Sequence, residues 1–278
     1  MKKILIILFF NIITFTFCNA QKVEKVKGNK VVTIQQTNIA PFHTIILDED
    51  FKIDIIHDET PYVQVETDEN LHEFIEFKVT DSVLTFNKTI KITSKKKLKI
   101  KVTYNEALKH IETTDNAEVL SLSIMELENG SLKTRGTSKA GLTIKSNNFN
   151  FDGDDKSKVK LNIATDTCAI TMSGNCKLEA LINSSQISGS LYQRAIANIE
   201  GSSKIAKLDI DNNTKLEGKN FTMNNCEIIC NINSNAYLEV LENITIEASG
   251  SSSIYLYQNP KIVINKLTDT SKIQKKLK

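Results

Sequence analysis

The chain has 278 residues, of which 40% are hydrophobic and 24% charged, a globular composition that excludes intrinsic disorder and allows one or two domains. Lysine and arginine number 35 against 33 acidic residues, and because Lys2 and Lys3 lie in a stretch that reads as removable, the remaining chain is electrically balanced. That balance argues against nucleic acid as a partner, which needs net basic surface to release counterions from phosphates, and with Arg135 and Arg194 the only arginines, bidentate phosphate or carboxylate clamps are scarce.

The segment from Met1 to Ala20, MKKILIILFFNIITFTFCNA, joins two lysines to a largely apolar run from Ile4 to Phe17 interrupted by Asn11, followed by small residues at Cys18 and Ala20. This is the pattern of a secretory signal peptide. The run falls short of the roughly 18 residues that a spanning helix needs, and no later stretch is apolar enough to be a transmembrane segment. Cleavage after Ala20 leaves Gln21 as the first residue. Lipidation at Cys18 is the competing reading, disfavoured by Phe17, where such sites carry a small residue.

From Val31 to Tyr104 nearly every segment alternates apolar and polar residues: VVTIQ, HTIIL, FKIDII, YVQVET, IEFKV, SVLTF and LKIKVTY. Period two predicts half-buried strands, with one short helical turn around NLHEFI. Residues 21–104 are therefore expected to form an N-terminal β cap region.

Beyond Tyr104 the composition shifts. Residues 105–278 hold 21 of the 27 asparagines and nine of the ten glycines, and no proline stands between Pro61 and Pro260. Avoidance of proline suits a long hydrogen-bonded ladder that cannot spare donors. A short pattern recurs here, a small anchor residue, any residue, then an aliphatic one, as in Ala140-Gly141-Leu142, Ser157-Lys158-Val159, Cys168-Ala169-Ile170, Cys176-Lys177-Leu178, Ser185-Gln186-Ile187, Ser203-Lys204-Ile205, Cys226-Glu227-Ile228 and Ser252-Ser253-Ile254. The anchor pairs 157 to 176, 185 to 203 and 252 to 271 predict a period of about 20 residues, the spacing of a β-solenoid in which each coil covers its neighbour's apolar face. A sandwich of evenly spaced hairpins is the alternative. The asparagines are expected at corners, where they tolerate left-handed backbone and bond to local main chain.

Four cysteines follow the leader, Cys168, Cys176, Cys226 and Cys230. In an exported chain disulfides are chemically available, but an extended segment holds Cys226 and Cys230 about 13 Å apart, beyond disulfide reach. Three of the four fall on the small anchor position, which makes packing the preferred explanation, and no Cys-x-x-Cys or Cys/His spacing suggests zinc.

The segments PFHTIILDEDFKIDIIHDETPYVQVETDENLHEFIEFKVTDSVLTF and LKIKVTYNEALKHIETTDNAEV together resemble the exported bacterial family called putative autotransporter adhesin, head GIN domain, whose members come mostly from Bacteroidetes. Val63 to Phe86 and Leu98 to Ile111 carry the likeness, which extends over about residues 31–273. It implies one continuous domain, an all-β single-stranded right-handed β-helix-like solenoid with an N-terminal β-strand cap, in the periplasm or on the outer surface of a Gram-negative bacterium, and it brings no established activity. Family coils are rich in Ser-Gly corners; here only Ser249-Gly250-Ser251-Ser252 comes close. The word autotransporter implies a C-terminal membrane barrel with alternating apolar-out strands, and the last residues, LTDTSKIQKKLK, carry no such pattern.

Candidate sites are few. Asp152, Asp154 and Asp155 form the densest acidic cluster, a solvated turn or a Ca²⁺ loop without the later bidentate glutamate of an EF-hand. His43, His57, His72 and His110 are isolated and form no catalytic signature. Lys95 to Lys97 and the lysine-rich end read as solvated. Tyr255 and Tyr257, two apart, are expected to point outward on one face, with Leu238 aligned on Ile254 and Glu239 and Leu241 beside them; rings so placed are candidate ligand-binding groups that can stack on sugars or be covered by the C-terminal segment. The expected function is a non-catalytic cell-envelope binding or structural module, adhesin-like, without a cofactor, whose partner is a glycan or an envelope protein. The alternative is a polysaccharide lyase or hydrolase on a β-helix scaffold, with Arg135 about one coil from the aspartates.

Overall fold

The computed structural model describes residues 24–277; the leader and its cleavage point at Ala20 and Gln21 lie outside the described residues. The alternating segments of the first hundred residues form strands at Val32–Asn38, Thr44–Leu47, Lys52–His57, Tyr62–Asp68, Ile75–Thr80, Val83–Lys88 and Leu98–Tyr104, and the NLHEFI turn is a 3-10 helix, Glu69–Phe74. Two further strands, Lys25–Lys27 and Lys91–Ser94, pair with each other in parallel.

Antiparallel pairs link Val32–Asn38 to Tyr62–Asp68, the latter to Leu98–Tyr104, and Ile75–Thr80 to Val83–Lys88. A parallel stack is already present among them. Thr44–Leu47 lies between Val83–Lys88 and His110–Thr113, and Lys52–His57 lies between Leu98–Tyr104 and Glu118–Ser121. The parallel ladder therefore starts well before the compositional shift at Tyr104.

The whole is a β-solenoid of about 9 turns, 68% strand and 2% helix. Each central coil is one 15-residue strand and a short turn, as in Lys139–Gly153, Lys158–Met172, Lys177–Leu191 and Ile196–Ile210. The register steps evenly from coil to coil, from Lys139 to Lys158 to Lys177 to Ile196. The pairing skips one residue in each long strand, at Asn147, Asp166 and Ser185, and the buried set changes parity there. In the coil 158–172, Val159, Leu161 and Ile163 are buried before the skip and Cys168, Ile170 and Met172 after it. Since alternate residues of a strand point to opposite faces, this parity change marks a corner, so each coil contributes a first face (158–164 in this coil) and a second face (167–172).

The second corner is the turn, where one position per coil is left-handed: Asp115, Gly136, Asp155, Gly174, Gln193, Asn212, Ile232, Gly250 and Asp269 all have positive φ, and in two coils the next residue, Asn213 or Asn233, does as well. Asparagine, aspartate and glycine tolerate that region best. The amide of a corner glycine is satisfied by the side chain of the next coil, Gly136 N by Asp155 Oδ2 at 2.8 Å, Gly174 N by Gln193 Oε1 at 3.0 Å and Gly250 N by Asp269 Oδ2 at 2.9 Å. Behind it runs a buried column of small residues, Ser138, Ser157, Cys176, Ala195, Thr214, Ser234 and Ser252. Its hydroxyls bond along the stack, Thr134 to Ser157 at 3.0 Å, Ser157 to Cys176 Sγ at 3.2 Å and Thr214 to Ser234 at 3.1 Å.

This column corrects the anchor pattern. Ser157, Cys176 and Ser252 are corner residues as expected, but Cys168 and Cys226 belong to a core column with Phe149, Ile187, Ala206 and Ile244. Ser185 is the skipped corner residue and Ser184, not Ser185, pairs with Ser203, so the anchor pair 185 to 203 joins two positions that are not equivalent. Ile205, expected inside, is 43% exposed, because the corner at Lys204 reverses which parity points inward. All four cysteines are free and buried. Burial pushes the thiols of Cys168, Cys226 and Cys230 up to about 12 and that of Cys176 up to about 11. Cys168 and Cys226 are three coils apart in their column, roughly 14 Å at the spacing of parallel strands.

Two outcomes follow from this packing. Gly201 has a φ of 107°, and a Cβ there would stand 2.1 Å from the carbonyl oxygen of Ile182 on the neighbouring coil. Gly201→Ala is expected to cost about 3 kcal/mol or more through backbone strain, read as a lowered Tm, whereas Gly189→Ala, which meets only side chains, Leu208 at 3.1 Å and Leu191 at 3.6 Å, is milder; equal Tm values would contradict the assignment. Because the thiolate is the reactive form, alkylation of native protein at pH 8 should leave Cys168, Cys176, Cys226 and Cys230 unmodified and denaturation should expose all four, as mass mapping would show. Rapid native labelling at any of them would mean a different core.

Candidate functional site

Outward positions on the first face stack into columns just as the core does. One column, read along the solenoid, is Lys52, Glu118, Lys139, Lys158, Lys177, Ile196, Lys215, Asn235, Ser253 and Lys272. The column two positions on is Leu120, Gly141, Lys160, Glu179, Asn198, Glu217, Tyr237, Tyr255 and Gln274. The period of two along a strand sends both to the same side of the sheet.

Tyr255 points outward, as expected, but it is half-buried and its neighbour is not the expected one. Ile254 pairs with Ala236 rather than Leu238, which places Tyr237 beside Tyr255. The expected alignment is two positions out, a slip that conserves the face but changes every partner. The two rings are stacked, with centroids 4.5 Å apart and planes 17° from parallel. Lys215 Nζ lies over the Tyr237 ring at 5.4 Å from its centroid and Lys276 Nζ over the Tyr255 ring at 5.0 Å. Each ring therefore has one face against its partner and an ammonium over it, an arrangement favoured by the ring quadrupole, and what the pair offers to solvent is edges and hydroxyls. Burial, then the adjacent Tyr255, raises the Tyr237 hydroxyl above the usual tyrosine value. Lys215 is held charged by a hydrogen bond to Glu217 at 2.6 Å.

Tyr257 lies just past the strand Ser253–Leu256, and its amide donates to Leu238 O at 3.0 Å. Nearby Glu239 is buried, accepting from Thr222 Oγ1 at 3.1 Å and Gln258 Nε2 at 2.9 Å.

The three aspartates face different partners. Asp152 takes a bidentate pair of bonds from Arg135, at 3.2 and 2.8 Å. Asp154 Oδ1 accepts from Ser173 Oγ at 2.6 Å and from Asp155 N at 2.7 Å, and the serine bond holds its carboxyl below the usual carboxylate range. Asp155 caps Gly136 N on the preceding coil. Among the described residues no group of three or more His, Cys, Asp or Glu side chains converges as a metal site. The histidines are also separate: His72 bonds Thr33 at 3.0 Å, His57 pairs with Glu106 at 3.2 Å, and His110 bonds Ser131 at 2.8 Å.

Sequence reasoning missed Tyr237 and the lysine column. The signal for both was present in the spacing, since Lys139, Lys158 and Lys177 recur at the coil period, but recognising it requires the register to be known first.

The model of the family described as putative auto-transporter adhesin, head GIN domain, matches residues 41–260. Among solved structures, a putative adhesin from Parabacteroides merdae is similar over 91% of this chain and 99% of its own, at 18% identity and a TM-score of 0.64. One from Parabacteroides distasonis is similar over 90% and 100%, at 18% identity and 0.65. A protein from the same species described as a putative lipid binding protein covers 91% and 100%, at 16% identity and 0.60. At these identities the likeness establishes the fold. No curated protein matches the chain. No helix among the described residues is long and apolar enough to cross a membrane.

Proposed function

The chain belongs to the family described as putative auto-transporter adhesin, head GIN domain, and on that premise we propose that it is an exported, non-catalytic binding module of the cell envelope that lays an extended ligand along the first face of its solenoid. The observation that carries this reading is the in-register outer surface. From Lys139 to Lys272 the same two outward columns continue through seven coil steps, a strip roughly 34 Å long at the spacing of parallel strands, bearing lysines, amides and the Tyr237 and Tyr255 hydroxyls. Such a surface offers repeated polar contacts to a linear polymer instead of one enclosed pocket. The leader pattern supports export, and the adhesin description of the family and of its structural neighbours supports a binding role.

An enzyme on this scaffold would need an acid, a base and a substrate to converge. Here Arg135 and Asp152 engage each other, and Asp154 and Asp155 tie neighbouring coils together. Those groups serve the stack.

The test is retention of the purified chain on immobilised cell-envelope polysaccharides. Tyr255→Phe, which removes the hydroxyl and keeps the ring stack, should weaken retention several-fold, and Tyr255→Ala about tenfold, equivalent to roughly 1.4 kcal/mol. Undiminished retention by both would remove this face from the binding role, and release of new reducing ends from the bound polymer would replace binding by catalysis.

A further inference from the structure

Three lysines, Lys139, Lys158 and Lys177, stand in register on successive coils of the first face, all exposed. Their backbones are separated by about 4.8 Å, the strand spacing of a parallel sheet, and like charges directly opposite one another destabilise a sheet. The carboxylates around them are engaged elsewhere: Glu118 with Lys52 at 3.1 Å, Glu179 with Lys160 at 2.9 Å and Glu217 with Lys215 at 2.6 Å. Among the described residues no carboxylate pairs with any of the three. Some exterior lysines are matched across coils, as Lys207 is with Glu227 at 3.5 Å and Lys145 with Glu126 at 3.4 Å. What sets these three apart is that they stack directly on one another with no carboxylate between them.

The lysines also border a depression. Gly141 has no side chain in the column where its neighbours carry Leu120 and Lys160, and Leu120 leans over it, its Cδ2 2.7 Å from where a Cβ would stand. Beside them lies a groove of about 250 Å³ lined by Leu120, Gly141, Lys139, Lys158, Lys160 and Lys177, together with Glu118 and Glu179, the carboxylates paired with Lys52 and Lys160. A second depression of about 550 Å³ continues it past Asn162, Asn198 and Thr143. Its carboxylates, Glu179 and Glu200, are held by Lys160 and by Asn220 at 3.3 Å.

From this we infer that the first face takes an acidic polysaccharide, with the anionic groups of the polymer along the Lys139, Lys158 and Lys177 column and its hydroxyls on the amides of the adjoining depression. This rests on the binding reading above and names its ligand class. The groove favours a chain over a bilayer, since a flat headgroup surface cannot reach a recessed floor of Leu120 and Gly141, whereas a sugar polymer can lie along it. The contact is electrostatic and partly exposed, so it weakens as salt shortens the screening length.

The experiment uses purified protein with polygalacturonate as the anionic probe and dextran as the neutral one. Polygalacturonate should bind and lose about tenfold in affinity between 0.05 and 0.5 M NaCl, as expected of screened charges. Lys158→Glu should reduce affinity by about tenfold or more while leaving Tm unchanged or raised, because the reversal relieves repulsion within the column. Binding lost with a lowered Tm would point to misfolding, so Lys158→Gln and Lys177→Gln are measured alongside it, and Lys207→Gln on the second face should bind as the parent does. Retention of dextran without polygalacturonate would overturn the acidic class and keep the binding face. Retention of neither, together with loss on every envelope polysaccharide, would overturn both. Capture of anionic phospholipid vesicles in place of polygalacturonate would replace the polysaccharide with a membrane surface.

Discussion

Parallel hydrogen bonding between coils that repeat at a constant spacing is the constraint on which the rest of the molecule depends. Once Lys139 sits over Lys158 and Lys158 over Lys177, every inward residue has its counterpart one strand spacing away, and so does every outward one. A core is then made by columns: Val119, Ala140, Val159 and Leu178 on one line, Phe149, Cys168, Ile187 and Ala206 on another. Small and large members share such columns, so that Gly153 accommodates the Phe151 ring and the Cys176 sulfur. No single coil could bury its apolar side alone, and stability comes from neighbour covering neighbour.

The same repetition turns local requirements into ladders. A left-handed residue is needed once per coil to close the turn, and the chain supplies glycine, aspartate or asparagine there in most coils. The amide that such a turn leaves over is satisfied from the next coil, so the acidic residues of the corner are bound into the stack. This is why the aspartate cluster, read from the sequence as a solvated turn or a cation loop, is dispersed, with Asp152, Asp154 and Asp155 each committed to a different neighbour. On the outside, however, repetition has no such purpose to serve, and a column of like charges or a pair of stacked tyrosines persists only at some cost or with some use.

Much of this was legible in the sequence because strands and solenoid coils write their period directly into it. The alternation from Val31 to Tyr104, the proline-free stretch and the corner residues Ser157, Cys176 and Ser252 all announced the fold. Register was harder, for a physical reason. The corner in the middle of each long strand reverses the inward parity, so a small residue before an aliphatic one marks a turn at Ser157 but a core position at Cys168 and an exposed one near Ile205. Without that reversal in view, Leu238 aligned with Ile254 as well as Ala236 did, and the Tyr237 partner of Tyr255 went unseen. Charge columns were hidden by the same ambiguity, since three lysines one coil apart along the chain look scattered until the coils are stacked.

Distances between spin labels placed along one outward column test the stacking most directly, because outward sites tolerate substitution and the buried thiols are shielded. With labels at Lys139→Cys and Lys215→Cys, four coil steps should give a backbone separation of roughly 19 Å, and with Lys139→Cys and Lys272→Cys, seven steps should give roughly 34 Å. A linear increase with coil number is the result that a solenoid in this register requires. A short distance between 139 and 272, or separations that fail to grow with sequence along the column, would contradict the stacked register and with it the continuous binding face.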